Sequence, residues 1–133
     1  MRRLVLLTIA FVLCAPRLAQ AADRKMSDAD STTLAKAALV ADGLQKNSPG
    51  WGFDGEAPRP KFPHLQFYGA LPKVGGGEAF FAMDLFTADV WDLTSCREIK
   101  SPKLEGLQRT IRARIGLTNQ RYKQIKSPAP CEP

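Results

Sequence analysis

The chain has one histidine, His64, and only three cysteines among its 133 residues. It lacks a G-x-S-x-G elbow, a G-x-x-x-x-G-K-[ST] loop, internal repeats and coiled-coil heptads. Each shortage narrows the chemistry. A lone histidine without a recognisable serine or cysteine nucleophile motif gives little to a hydrolase. Beyond the N-terminal segment, two cysteines and one histidine fall short of a tetrahedral zinc set. The run "VGGGE" has no lysine or helix after it, so it reads as a hairpin turn rather than a phosphate cradle. No metal or cofactor is expected. The N-terminal apolar run, Leu4–Ala15, has 12 residues. That is too few to cross about 30 Å of hydrocarbon.

That run fits another pattern. Arg2 and Arg3 precede it, and Ala19-Gln20-Ala21 follows, with small residues at −3 and −1 of a cleavage site. Together these make a secretory signal peptide. Cys14 near the end of the run raises lipidation as an alternative, but Leu13 before it is larger than such a site accepts. The expected organisation is a signal peptide over 1–21 and one small domain over 22–133, periplasmic or secreted, with no membrane span after cleavage.

Charge is unevenly placed. Residues 22–96 carry 7 Lys/Arg against 10 Asp/Glu, and residues 97–133 carry 9 against 3. The working domain is therefore basic only in its C-terminal third. An acidic protein or an anionic envelope surface is the partner class this suits. An exported protein seldom meets nucleic acid, which is not expected as a partner.

Cys96 and Cys131 remain after cleavage. In an oxidising compartment two such thiols form a disulfide, and two cysteines allow one intramolecular pairing. A Cys96–Cys131 bridge tying the tail to the body is expected.

The remaining sequence reads as an α+β domain. Ser27 with Asp30 has the form of a capping box, and Leu34, Ala37, Ala38, Ala41 and Leu44 share a helical face. Asn47, Pro49 and Gly50 are the expected stop. Residues 48–63 are rich in proline and glycine and read as a loop. Three strands follow: His64–Leu71, Glu78–Leu85 and Val90–Leu93. In the second, Ala79, Phe81, Met83 and Leu85 take one face. Ser101, Pro102 and Glu105 then open a helix whose stripe is Leu104, Leu107, Ile111 and Ile115, closed by Gly116. The expectation is a helix, a three-stranded antiparallel meander, a second helix on the same face, and one disulfide.

The stretch "AFFAMDLFTADVWDL" places Asp84, Thr87 and Val90 as in the strand–turn–strand of PepSY domains, with Ala88 where that family usually has glycine. From Leu34 to Leu93 the chain resembles a small PepSY-like exported module. The resemblance implies a role in binding or restraining a protease and transfers no catalytic residue.

Candidate sites follow from these features. Asp84, Asp89 and Asp92 lack EF-hand spacing and read as solvated carboxylates. Trp51 and Phe53 in the 48–63 loop are the candidate apolar anchor for a partner, with Arg109, Arg112 and Arg114 supplying charge. The expected function is a small exported, non-enzymatic module that restrains an enzyme or another envelope macromolecule. The alternatives are a small hydrolase using His64 with Asp84 or Asp92, and a structural envelope component.

Overall fold

The computed structural model describes residues 24–43, 51–56, 61–72 and 78–131, with backbone alone for 51–56, 71 and 72. The expected signal peptide and the glycines of the "VGGGE" turn lie outside these residues. Among the described residues no helix is long and apolar enough to cross a membrane.

Helix α1 spans Asp28–Ala41. Ser27 holds its N-cap in extended backbone, and the hydroxyl accepts the Asp30 N–H at 3.1 Å. The expected cap is thus in place. The helix ends sooner than expected: Asp42 is the C-cap and Gly43 turns the chain at φ +80°. Its buried row is Leu34, Ala35, Ala38 and Leu39, while Ala37 and Ala41 pack at the margin.

Five strands follow: β1 (Trp51–Glu56), β2 (Leu65–Pro72), β3 (Ala79–Asp84), β4 (Val90–Asp92) and β5 (Arg97–Glu98). They form one sheet in sequential order, each antiparallel to its neighbours. The three expected strands are its centre. The expected loop over 48–63 is corrected, because 51–56 within it is the edge strand β1. Pro49 and Pro58 flank this strand without interrupting it, and its six residues pair with β2 from Trp51↔Pro72 to Glu56↔Phe67. An edge position tolerates Gly52 and Gly55 because the neighbour supplies the ladder.

Helix α2 spans Pro102–Ile115. Ser101 accepts the Leu104 N–H at 3.2 Å, and Gly116 closes the helix at φ +76°, both as the sequence predicts. A third helix, α3 (Asn119–Ile125), was not expected. Thr118 caps it by accepting the Arg121 N–H at 3.2 Å. The Cys96–Cys131 disulfide is present, and it joins the β4–β5 loop to the tail beyond α3.

The main core lies between the sheet and the two long helices. Leu34 and Leu39 of α1, Phe81 and Met83 of β3, Val90 of β4, and Leu104 and Ile111 of α2 are all wholly buried there. Burying each such side chain contributes about 1.5–3 kcal/mol. The helices therefore share one face, as expected. Period-2 alternation turns Leu65, Phe67, Ala82 and Trp91 to the opposite face, where they form a second small cluster with Phe62 and Leu93. The class is α+β.

Candidate partner-binding site

The turn joining β3 to β4 organises the site. Asp84 Oδ1 accepts the N–H groups of Phe86 at 2.8 Å and Thr87 at 3.0 Å. Ala88 completes the turn in the left-handed region at φ +58°, a conformation that glycine adopts without strain. Its methyl group is buried, and its carbonyl accepts from Gln108 Nε2 of α2 at 2.9 Å. The turn thus presents Asp89 inward to the basic C-terminal third.

Asp89 is 0 % exposed and fully partnered. Thr87 Oγ1 donates to its Oδ2 at 3.0 Å. Arg112 Nη2 and the Tyr122 hydroxyl donate to Oδ1 at 2.7 and 2.9 Å. Arg112 Nε also donates to the Thr87 carbonyl at 2.6 Å, and its guanidinium stacks 4.3 Å from the Tyr122 ring centre. Burial pushes the Asp89 carboxyl above its ordinary value, against the pull of Tyr122, Arg112 and Thr87. Burial and the neighbouring Asp89 raise Tyr122 as well, so its phenol keeps the proton it donates. At Lys126 burial opposes the charge. Tyr122, Asp89 and Glu98 outweigh that effect and raise its pKa.

The three acidic residues expected to be solvated are instead buried. Asp84 and Asp89 fold the turn, and Asp92 accepts from the Thr94 N–H at 2.8 Å and from the Ser95 hydroxyl in the next one. Their partners lie up to 43 residues away, as with Asp84 and Ser127, so local spacing could not reveal them.

A cleft of about 530 Å³ opens between α2 and α3 in front of this network. Lys100, Arg109, Arg112 and Lys126 line it, with Glu98 and Glu105. Glu98 is already engaged by Lys100 at 3.4 Å and Lys126 at 3.3 Å. Arg109 is exposed and makes no ion pair among the described residues.

The expected arginine trio therefore divides. Arg109 is available to a partner. Arg112 serves the fold, its charge committed to Asp89. Arg114 pairs with Asp30 on α1, and with the Ser27 hydroxyl it outweighs the burial of Asp30, holding that carboxyl below its ordinary value. Trp51 and Phe53 lie on the edge strand, opposite Pro72 and Ala70 in the ladder, and their side chains fall outside the description. The loop placement expected for this pair is corrected.

A second cavity of about 230 Å³ is lined by His64, Asp84, Phe86, Ile125 and Ser127. Ser127 Oγ lies 3.1 Å from His64 Nε2 and 3.3 Å from Asp84 Oδ2. This grouping resembles a triad in composition but not in order. A nucleophilic serine needs the histidine between itself and the carboxylate. Here the hydroxyl stands between them and donates to Asp84 Oδ2, so the carboxylate does not orient the imidazole as a triad requires.

With this geometry in hand, the chain can be set beside known proteins. Its fold has a solved counterpart. A chain in the structure of a type VI secretion system effector–immunity complex from Pseudomonas protegens superposes with a TM-score of 0.62 at 22 % identity. The match covers 86 % of this chain and 97 % of that one. Likeness at this identity concerns the fold. No protein-family profile matches the chain, and no curated protein matches it.

Proposed function

We propose that this chain is a small exported module without enzymatic activity that binds a partner protein and restrains it. The observation that carries the reading is the α2–α3 cleft, where Arg109, in no ion pair among the described residues, stands beside the Arg112–Asp89–Tyr122 scaffold. Fixed, desolvated ion pairs behind a free cation pre-organise a surface for an acidic group, so little side-chain ordering is left to binding. The fold shared with a chain of an effector–immunity complex supports the same class of role, as does the PepSY-like strand–turn–strand. The partner offers carboxylates, and the module blocks it by occupying its surface.

Capture of the oxidised domain's partner from envelope extract, followed by an activity assay of that partner with and without the domain, tests this. The expected result is inhibition that weakens as salt rises and falls further with Arg109→Glu. Binding and inhibition unchanged by Arg109→Glu would remove the cleft from the proposal.

The hydrolase alternative draws on one observation, the Ser127 hydroxyl bridging His64 and Asp84. It predicts ester or peptide hydrolysis lost in both Ser127→Ala and His64→Ala. The order of the groups favours the binding reading.

A further inference from the structure

The outer wall of the cleft is attached differently from the rest of the molecule. Helix α3 buries none of its residues. It supplies Asn119 and Tyr122 to the cleft lining, and its C-cap Lys126 adds to them. Polar contacts hold it there: the Tyr122 hydroxyl on Asp89 at 2.9 Å, Lys126 on Glu98 at 3.3 Å, and Ser127 on His64 at 3.1 Å. The 230 Å³ cavity is lined by Ile125 and Ser127 of this segment facing Phe86, His64 and Asp84, so the apolar contact on this side, through half-buried Ile125, borders a gap. A seven-residue helix has no stability of its own in water. The covalent restraint on this segment is the Cys96–Cys131 bond, and Cys96 is exposed to solvent.

We propose that the Cys96–Cys131 disulfide is a redox latch on the α2–α3 cleft. With the bond formed, α3 is seated, Tyr122 donates to Asp89, and the cleft has both walls. With the bond reduced, α3 and the tail leave the body while α1, β2–β4 and the first turns of α2 stay folded on their apolar core. Closing consumes two thiols and one carrier disulfide. The thiolate of one cysteine attacks the carrier, the other displaces the mixed disulfide, and the carrier departs as a dithiol with the two protons. Opening is the reverse exchange with a dithiol reductant.

A cytosol keeps such thiols reduced, and an oxidising compartment closes them. The cleft is therefore complete only after the chain reaches that compartment. That functional consequence rests on the cleft being the binding surface proposed above; the latch itself does not.

Hydrogen–deuterium exchange on the full chain, oxidised and then reduced with dithiothreitol, tests the latch without any partner. Reduction is expected to abolish protection of the amides in Asn119–Lys126, with Leu34–Leu39, Ala79–Asp84 and Leu104–Ile111 keeping theirs. The Cys96→Ser/Cys131→Ser chain should show the same pattern without reductant. Protection retained at Asn119–Lys126 overturns the proposal, and so does its loss across Ala79–Asp84 as well, since the bond would then hold the whole domain. In a parallel binding measurement, equal binding by oxidised and reduced chains whose exchange shows the opened tail upholds the latch and removes the cleft as the binding surface.

Discussion

Beneath α1 and α2, Leu34, Phe81, Leu104 and Ile111 are wholly buried, whereas α3 buries none of its seven residues. The first region is held by area removed from water, a term that persists in high salt and across pH. The second is held by donors, acceptors and one covalent bond, all of which respond to solvent conditions. Between them stands Asp89, gripped from α2 by Arg112 and from α3 by Tyr122. The contrast teaches that the basic third of the chain is two structures in one. Helix α2 completes the core, and α3 is an attachment that completes a surface.

The comparison can be broken from the apolar side first. Phe81→Ala empties the centre of the core and should cost about 3–5 kcal/mol, seen as a large drop in the denaturant midpoint. Cutting the junction comes next. Arg112→Ala leaves Asp89 buried without its cation and should cost about 3 kcal/mol, with exchange protection lost in both α2 and α3. Removing the bridge tests the attachment. A ring closed over a separation of 35 residues contributes about 4 kcal/mol by loop entropy. Because the freed tail also gains entropy in the folded state, Cys96→Ser/Cys131→Ser should lose only about half of that. A full loss would show that the tail belongs to the core region after all.

Smaller effects sharpen the contrast. Asp30 has a lowered pKa, so its stabilising contribution is present above its ordinary value of 3.8 and is lost as pH falls through the lowered folded value. Arg114 is largely exposed and its pairing is screened, so wild type should exceed Asp30→Asn by only about 0.5 kcal/mol at neutral pH. The gap between the two should close in acid. A gap that widens in acid would reverse the sign assigned to Asp30. Ala88→Gly relieves the left-handed backbone but removes a buried methyl and loosens the unfolded chain. The terms nearly cancel, and melting should move by an equivalent of no more than about 0.5 kcal/mol.

How much was legible follows the range of each interaction. Ser27, Ser101 with Pro102, and Gly116 announced helix ends because a cap is made within three or four residues. Alternation in "EAFFAMDL" announced β3, and its core face came out as read. The cysteine pair was legible from chemistry and number. Strand β1 was hidden because its glycines and flanking prolines describe a loop locally, and only the ladder with β2 makes it a strand. The end of α1 at Ala41 is not legible locally, because the apolar spacing continues to Leu44 while Gly43 turns the chain first.

The site was less legible than the fold. Asp84, Asp89 and Asp92 resemble surface residues of a turn until Gln108, Arg112 and Tyr122 arrive from the far end of the chain. Among the three arginines, identical chemistry concealed three different duties, and what each faces across the fold separates them. Thr118, a capping residue two positions after Gly116, is the local signal for α3, and the short, proline-flanked tail around it masks that signal.

The order β1-β2-β3-β4-β5 has a consequence for how the protein is made. Every strand pairs with the one synthesised just before it, so no part of the sheet waits for a distant segment, and such local topologies fold fast. For a chain emerging N-terminus first, hairpins can form in sequence while Cys96 is still alone. Cys131 follows all five described strands, so a chain cut short after Glu98 would carry a finished sheet together with a Cys96 thiol that has lost its bridge partner, a chemical mark that tells it from the intact fold.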